Sequence, residues 1–399
     1  MFSKTSLTRI SQDHSDIDDM TPMSLVFKLL STNEYWFFWG VGNTMATIYD
    51  VAKIAGVSAK TVSRVLNQDA PVGQETRKKV EQAITALGYV PSNAARMMRS
   101  NRSGIVGLIT GAISQTSDNP ELTGLPDLFI VQGIQQVMAA QKKTLMIADT
   151  AGSADNIPHL LETFRQHRAE GIIYVADYHK QIELPDTAKS LPIVLANCFD
   201  SRATPAVLPD DKLGQKRLVE RLIKAGHHRI ALLRLPETFV ASDLRFQGYY
   251  DAMSEASIPF DPTLVPVTLQ DDDPRQLGQL TEALKHLLNL DQPPTVICCG
   301  NDKMALRVYG ILRSMGLNIP EDISIAGYDN YTLIAETLYP ALTTVELPYR
   351  DMGRQAAELI LDMIKQADHP NEPALMQGDV YWRSSVTDFF TTNVKMFQQ

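Results

Sequence analysis

Thr47-Ile-Tyr-Asp-Val-Ala-Lys-Ile-Ala-Gly-Val-Ser-Ala-Lys-Thr-Val-Ser-Arg-Val-Leu-Asn67 is the stretch from which the organisation of this 399-residue chain is read. Val51, Ala52 and Ala55 recur at helical spacing and share one face. Gly56 suits the left-handed position that ends a helix. Ser58 can accept hydrogen bonds from the opening turn of a second helix. On that helix Val62, Val65 and Leu66 point inward, leaving Ala59, Lys60, Ser63 and Arg64 outward. Two short helices joined by a glycine-containing turn, with small residues at the crossing, make a helix-turn-helix. A third helix is expected over about 74–87, with Val80, Ala83, Ile84 and Leu87 as its buried stripe and Gly88 and Pro91 at its end.

The outward side chains carry the chemistry. Lys60 and Arg64 suit guanine acceptors or phosphates, and the hydroxyls of Thr47, Ser58, Thr61 and Ser63 suit phosphate oxygens. On pattern alone, an ordinary three-helix bundle with solvated basic residues is the competing reading. Charge favours the first. The whole chain has a formal net charge of −9, which by itself argues against a polyanionic partner. Residues 45–102, however, hold 9 Lys/Arg against 4 Asp/Glu, whereas residues 103–399 hold 25 against 37. A basic reader of +5 precedes an acidic body of −12.

Residues 1–44 form an N-terminal extension with two apolar runs, 25–30 and 35–41, separated by Ser31-Thr-Asn-Glu34. Neither run approaches the roughly 18 residues a membrane span needs, and no secretory signal pattern is present. Two readings stand: an aromatic extension that binds a surface or partner, and a working start at Met45. The second is the expectation, because an ordered module begins directly after Met45. Three cysteines, Cys198, Cys298 and Cys299, cannot build a disulfide framework, so a reducing, cytoplasmic setting is expected.

From Gly104 onward short apolar runs alternate with amphipathic stretches. Strands are expected at 105–109, 144–148, 171–175 and 191–195, with helices near 128–141, 155–169 and 182–190. A second series has strands at 229–233, 264–267, 295–299 and 323–327, with helices near 210–225, 243–256, 274–289 and 302–315. Such alternation predicts two lobes, each a doubly wound parallel sheet, with a ligand cleft at the strands' C-terminal ends. Other chemistry falls away. His227-His228 precedes a strand, Cys298-Cys299 face opposite ways on one, and Asp271-Asp-Asp273 reads as a solvated loop. Asn101-Arg-Ser103 is only a formal sequon. With no catalytic or nucleotide-binding motif, no enzyme, metal site or cofactor is expected.

The run 48–67, with Thr76-Arg-Lys-Lys-Val80 and Leu87-Gly-Tyr-Val-Pro-Ser-Asn-Ala-Ala95, resembles the opening of the lactose-repressor (LacI/GalR) family of transcription regulators. The resemblance continues through Gly226–Leu233, Arg245–Tyr249, Gly300–Leu306, Ile319–Asn330 and Pro340–Val345, covering about 45–390. It implies an all-α helix-turn-helix DNA-binding domain (45–91) and a hinge helix (92–102). A two-lobed α/β domain like the periplasmic sugar-binding proteins follows (103–390), then a tail (391–399). The first lobe is expected at about 103–206 and 347–376 and the second at about 207–346 and 377–390, with crossovers near 206, 346 and 376. By resemblance Ala59, Lys60 and Arg64 read bases, while Thr47, Ser58, Thr61, Ser63, Asn67 and Thr76 contact phosphate. Asn93, Ala95 and Met98 belong to a hinge that opens the minor groove, Met98 standing where relatives use Leu as the wedge. Arg245, Asp329, Asn301, Asn197, Phe129 and Ser117 fall on effector positions. The loop Ser117-Asp-Asn-Pro-Glu-Leu-Thr-Gly-Leu-Pro-Asp127 departs from the family pattern, which weakens Ser117, Asp118 and Phe129.

The resulting expectation is a cytoplasmic homodimer, with no membrane partner, that binds a near-palindromic double-stranded operator and is released by a sugar effector. A disaccharide or glucoside such as sucrose is the specific expectation. A co-repressor regulator sensing a sugar acid, sugar phosphate or purine is the alternative within the class. A solute-binding protein without DNA function is the alternative outside it.

Overall fold

The computed structural model describes residues 46–67, 71–90, 102–111, 126–269, 273–366 and 372–389. The extension 1–44, the hinge residues Asn93, Ala95 and Met98, the loop residue Ser117 and the tail 391–399 lie outside the described residues. Two compact units divide between Arg96 and Met97.

In the first unit, helices α1 (Ile48–Ala55), α2 (Ala59–Asn67) and α3 (Gln74–Leu87) follow one another. The Thr47 backbone N–H and hydroxyl both donate to the Asp50 carboxylate, at 2.8 and 2.7 Å, and fix the start of α1. Gly56 ends α1 at φ 65°, where its N–H reaches the Ala52 carbonyl without the steric cost a Cβ would bring. Val51, Val62 and Val80 are fully buried at the centre, with Ala52, Ala55, Val65, Ala83 and Tyr89 around them. Leu66, Ile84 and Leu87, read from the sequence as inward, are only half-buried, because so small a unit has little material with which to cover them.

The second unit is built on two sheets. The first has the order β10-β5-β4-β3-β1-β2 and is parallel throughout. Its strands are β1 (Ile105–Thr110), β2 (Thr144–Asp149), β3 (Ile172–Gln181), β4 (Ile193–Phe199), β5 (Ala206–Pro209) and β10 (Ala374–Met376). Helices α4 (Pro126–Ala140) and α11 (Tyr349–Ile364) cover one face, and α5 (Ile157–Gln166) covers the other. The second sheet has the order β11-β9-β8-β7-β6. It comprises β6 (Ile230–Leu233), β7 (Val296–Cys299), β8 (Ser324–Asp329), β9 (Thr343–Glu346) and a short antiparallel β11 (Val380–Tyr381). Helices α6 (Asp211–Lys224) and α7 (Val240–Glu255) pack on one face, and α8 (Gln276–Leu288) and α9 (Asp302–Ser314) on the other. The short α10 (Thr332–Ala335) follows β8. Cys298 and Cys299 do point to opposite faces, one into each core.

Several expectations shift. The strand Ala206–Pro209 pairs with β4 and β10, so it belongs to the first lobe rather than opening the second. The chain therefore crosses at residue 210, at 347–348 and at 377–379. The expected strand at 264–267 is a 3-10 turn (Pro262–Leu264) and one bridge from Val267 to Arg234, because Pro266 has no N–H to offer a ladder. The expected helix at 182–190 shrinks to a 3-10 turn (Asp186–Ser190) between Pro185 and Pro192. In contrast β3 runs six residues beyond its expected end at 175, through an irregular insert.

Close helix approaches hold each lobe. A Cβ on Gly248 would collide with the Lys212 carbonyl, and one on Gly353 with the Ile130 carbonyl, so glycine sets both contacts. Gly248→Ala should push α7 from α6 and cost about 1–3 kcal/mol, read as a lower urea midpoint with an unchanged slope.

Candidate DNA-reading surface and ligand cleft

On α2, Lys60 and Arg64 are exposed, with Ala59 and Ser63 half-exposed between them. The hydroxyl-bearing residues are more engaged than the sequence suggests. Thr47 gives its hydroxyl hydrogen to Asp50, and that bond holds the Asp50 carboxyl below its usual range. Ser58 and Thr61 hydroxyls lie 3.0 Å apart and share one hydrogen bond, while Ser58 Oγ also accepts the Thr61 N–H at 3.2 Å. Asn67 Nδ2 donates to the Ser63 carbonyl and Oγ, at 2.7 and 3.1 Å. Ser63 keeps its own hydroxyl hydrogen, as does one of Ser58 and Thr61, and Thr76 is half-buried at the start of α3. Sequence reasoning missed Tyr49, which is 74% exposed on α1, because an aromatic in an amphipathic helix reads as core. Ile54, later on the same helix, is exposed as well.

In the second unit Arg245 is the centre of the expected effector residues. It lies on α7 and is only 6% exposed. Its Nε donates to Asp211 Oδ1 at 2.8 Å, its Nη1 donates to the Gly300 carbonyl, and its Nη2 lies 3.9 Å from Asp329 Oδ1. The guanidinium is stacked 3.7 Å from the Tyr328 ring centre. Asp211 opens α6, and its second oxygen pairs with His179 Nδ1 at 2.9 Å. Burial works against both charges. Arg245 and then His179 outweigh it at Asp211 and hold that carboxyl low, while Asp211 keeps the guanidinium charged.

Asp329 ends β8 at φ 122°, followed by Asn330 at φ 51°. This sparsely populated backbone is held by Arg383, which donates to Asn330 Oδ1 at 2.8 Å, and by the Leu347 N–H on the Asp329 carbonyl. Beneath it Asp302 is fully buried, accepting from Thr344 Oγ1 at 2.7 Å and the Tyr331 N–H at 2.8 Å. Burial first, and the charge of Asp329 second, push its carboxyl well above the usual range.

The structure brings Arg245 and Asp329 together, with Asn301 one residue beyond Gly300. Asn301 Oδ1 caps α9 by accepting the Met304 N–H at 2.7 Å, which leaves its Nδ2 hydrogens for another partner. Asn197 takes φ 62° within β4, and its buried Nδ2 donates to the Ala176 carbonyl at 3.2 Å. Phe129 packs on α4 with the Arg350 guanidinium 5.1 Å from its ring centre. No hydrogen bond or ion pair among the described residues joins Asn197 or Phe129 to Arg245. His179, Asp211 and Asp302 were not foreseen. His179 sits in a run, Asp177-Tyr-His-Lys180, whose polarity reads as a surface loop.

Arg245→Met should leave the Asp211 carboxylate buried with His179 alone and cost about 3–5 kcal/mol in urea unfolding at neutral pH. Because the folded Asp211 carboxyl lies below its ordinary 3.8, its stabilisation is present above that value and fades as pH falls through the folded one. Asp211→Asn should therefore flatten the acid loss of stability below about pH 4.

Known proteins match both units. Residues 47–92 match the model of bacterial regulatory proteins of the lacI family, and residues 219–386 match that of the periplasmic binding protein-like domain. The HTH-type transcriptional repressor PurR of Aliivibrio fischeri (strain MJ11) is 32% identical over 347 residues, 86% of this chain and 98% of that protein. The ribose operon repressor of Haemophilus influenzae is 32% identical over 332 residues, 82% and 94% of the two chains. A structure of the Lac repressor bound to ONPG in its repressed state aligns with TM-score 0.69 and 26% identity, covering 86% of this chain and all of that one. With a helix-turn-helix reader, a two-lobed parallel α/β body and end-to-end similarity to such repressors, the chain belongs to the lacI family of bacterial regulatory proteins.

Proposed function

We propose that the chain is a homodimeric repressor that binds a near-palindromic operator through α2 and leaves it when a small sugar enters the cleft. One observation carries the sugar reading: a buried guanidinium with unused Nη hydrogens beside a carboxylate, and an amide donor on the adjacent turn. Neighbouring donors and acceptors of this kind suit adjacent hydroxyls, each of which both donates and accepts. Relatives named for a ribose operon support the same reading. The PurR relatives support a second one, in which a purine acts as co-repressor. A thermal-shift panel of pentoses, hexoses, disaccharides, hypoxanthine and guanine separates them. A sugar should raise the melting temperature of the wild type, and Asp329→Asn should abolish that rise. Stabilisation by a purine alone would replace the sugar.

At the DNA end, Lys60 and Arg64 supply base and phosphate donors, Ser63 and Thr76 supply hydroxyls, and exposed Tyr49 and Ile54 extend the contact surface. Arg64→Ala should cost about 1–3 kcal/mol on the specific operator at fixed salt and little on random DNA, read by gel shift. Met98→Ala should likewise weaken specific binding and DNA bending more than non-specific binding, as loss of a minor-groove wedge requires. Equal losses on both DNAs would remove these assignments. For the dimer, Leu333 and Tyr339 are 70% and 84% exposed. So much solvated apolar surface suits cover by a second copy.

A further inference from the structure

We infer that an insert in β3 clasps the two lobes, with Tyr178 gripping Phe239 and His179 acting as a positioning residue for Arg245. The pairing of β3 with β4 runs Val175 to Ala196 and then resumes at Lys180 to Cys198. Four residues of β3 therefore face one residue of β4, Asn197. Three extra residues cannot lie in the ladder, so the strand arches out of it. Asn197, in its left-handed conformation, ties down the base of the arch at the Ala176 carbonyl.

The arch belongs to the first lobe, yet its side chains end on the second. The Tyr178 and Phe239 ring centres lie 4.8 Å apart with the rings tilted by 54°. Phe239 caps α7, the helix that carries Arg245. Lys180 lies 4.4 Å from the Tyr178 ring centre and is anchored by Asp177 at 2.5 Å, which leaves the tyrosine little freedom to swing away. His179, the next side chain, is buried edge-on against Phe199 and reaches Asp211, the residue that holds Arg245. One short segment thus grips the second lobe at the start of α6 and at the start of α7.

The two anchors differ in kind. The His179–Asp211 contact is buried, and breaking it leaves one Asp211 oxygen in the interior without that hydrogen bond while Arg245 still holds the other. Tyr178 is exposed and Phe239 half-buried, and an aromatic pair of this sort shifts a two-state balance by about two- to tenfold. That size suits a clasp that biases the lobes toward closure without locking them. Affinity for a ligand that binds the closed form falls in proportion when the closed fraction falls.

The test uses the full chain with nitroxide labels on Gln166→Cys in the first lobe and Glu282→Cys in the second, both exposed. The three native cysteines are buried, and burial raises their thiol pKa values, so they resist labelling. Pulsed electron resonance on the ligand-free protein should show longer inter-lobe distances for Tyr178→Ala and for Phe239→Ala. Tyr178→Phe, which keeps the ring, should match the wild type. Distances unchanged in either alanine variant, or lengthened equally by Tyr178→Phe, would overturn the clasp. The affinity arm rests on the proposed sugar reading: for whichever panel sugar stabilises the wild type, the alanine variants should bind about two- to tenfold more weakly. If no sugar binds, that reading fails while the label distances still decide the clasp.

Discussion

A guanidinium taken almost wholly out of water sets the terms for the second unit. Arg245 must be paired and hydrogen-bonded where it lies, and its four partners come from three places in the chain. Asp211 is supplied by the start of α6, the Gly300 carbonyl by the turn after β7, the Tyr328 ring by β8, and Asp329 by the end of the same strand. The geometry depends on a glycine one turn along α7. Gly248 allows that helix to approach the Lys212 carbonyl, and Arg245 on the same face then meets Asp211, the neighbour of Lys212. Close packing and charge pairing are thus one contact seen at two heights of the helix.

The acids around this cation divide its field between them. Asp211 is ionised because Arg245 and His179 outweigh its burial. Asp302 faces no comparable cation at close range, and burial together with Asp329 drives it toward the neutral form. Asp329 is the remaining carboxylate near Arg245, and a quarter of its side chain stays exposed. Asp211 and Asp302 are buried, so Asp329 is the one of these three carboxylates that solvent reaches. The positive φ at Asp329 and Asn330 aims that carboxylate, and Arg383 together with the Thr344 hydroxyl keeps the backbone there.

The reader was legible because everything that makes it is local. Helical spacing, the Gly56 stop and the Ser58 start of the second helix act within a few residues, and the structure reproduces them. The β–α alternation was legible for the same reason. Strand neighbours in a parallel sheet are remote in sequence, so the lobe that claims Ala206–Pro209 depends on partners at 195–196 and 374–376 that periodicity cannot reveal. The β3 insert was hidden because a polar arch and a surface loop have the same composition. Asn301 was read in the sequence only as an effector position. The structure gives its oxygen to capping α9, a local role the sequence reading missed.

Net charge becomes informative only once pairing is considered. The acidic unit neutralises many of its cations internally: Lys143 on Glu170, Lys212 on Asp251, Lys216 on Glu255, Arg229 on Asp261 and Arg234 on Asp243. On the reader Lys79 pairs with Glu75, while Lys60, Arg64 and Lys78 carry no ion pair among the described residues. A cation already paired must break that contact before it can meet a phosphate, whereas an unpaired one gains the contact and releases a counterion from the DNA. A chain of net −9 can therefore bind a polyanion with a handful of positive charges, provided they are gathered on one small unit and left without acid neighbours.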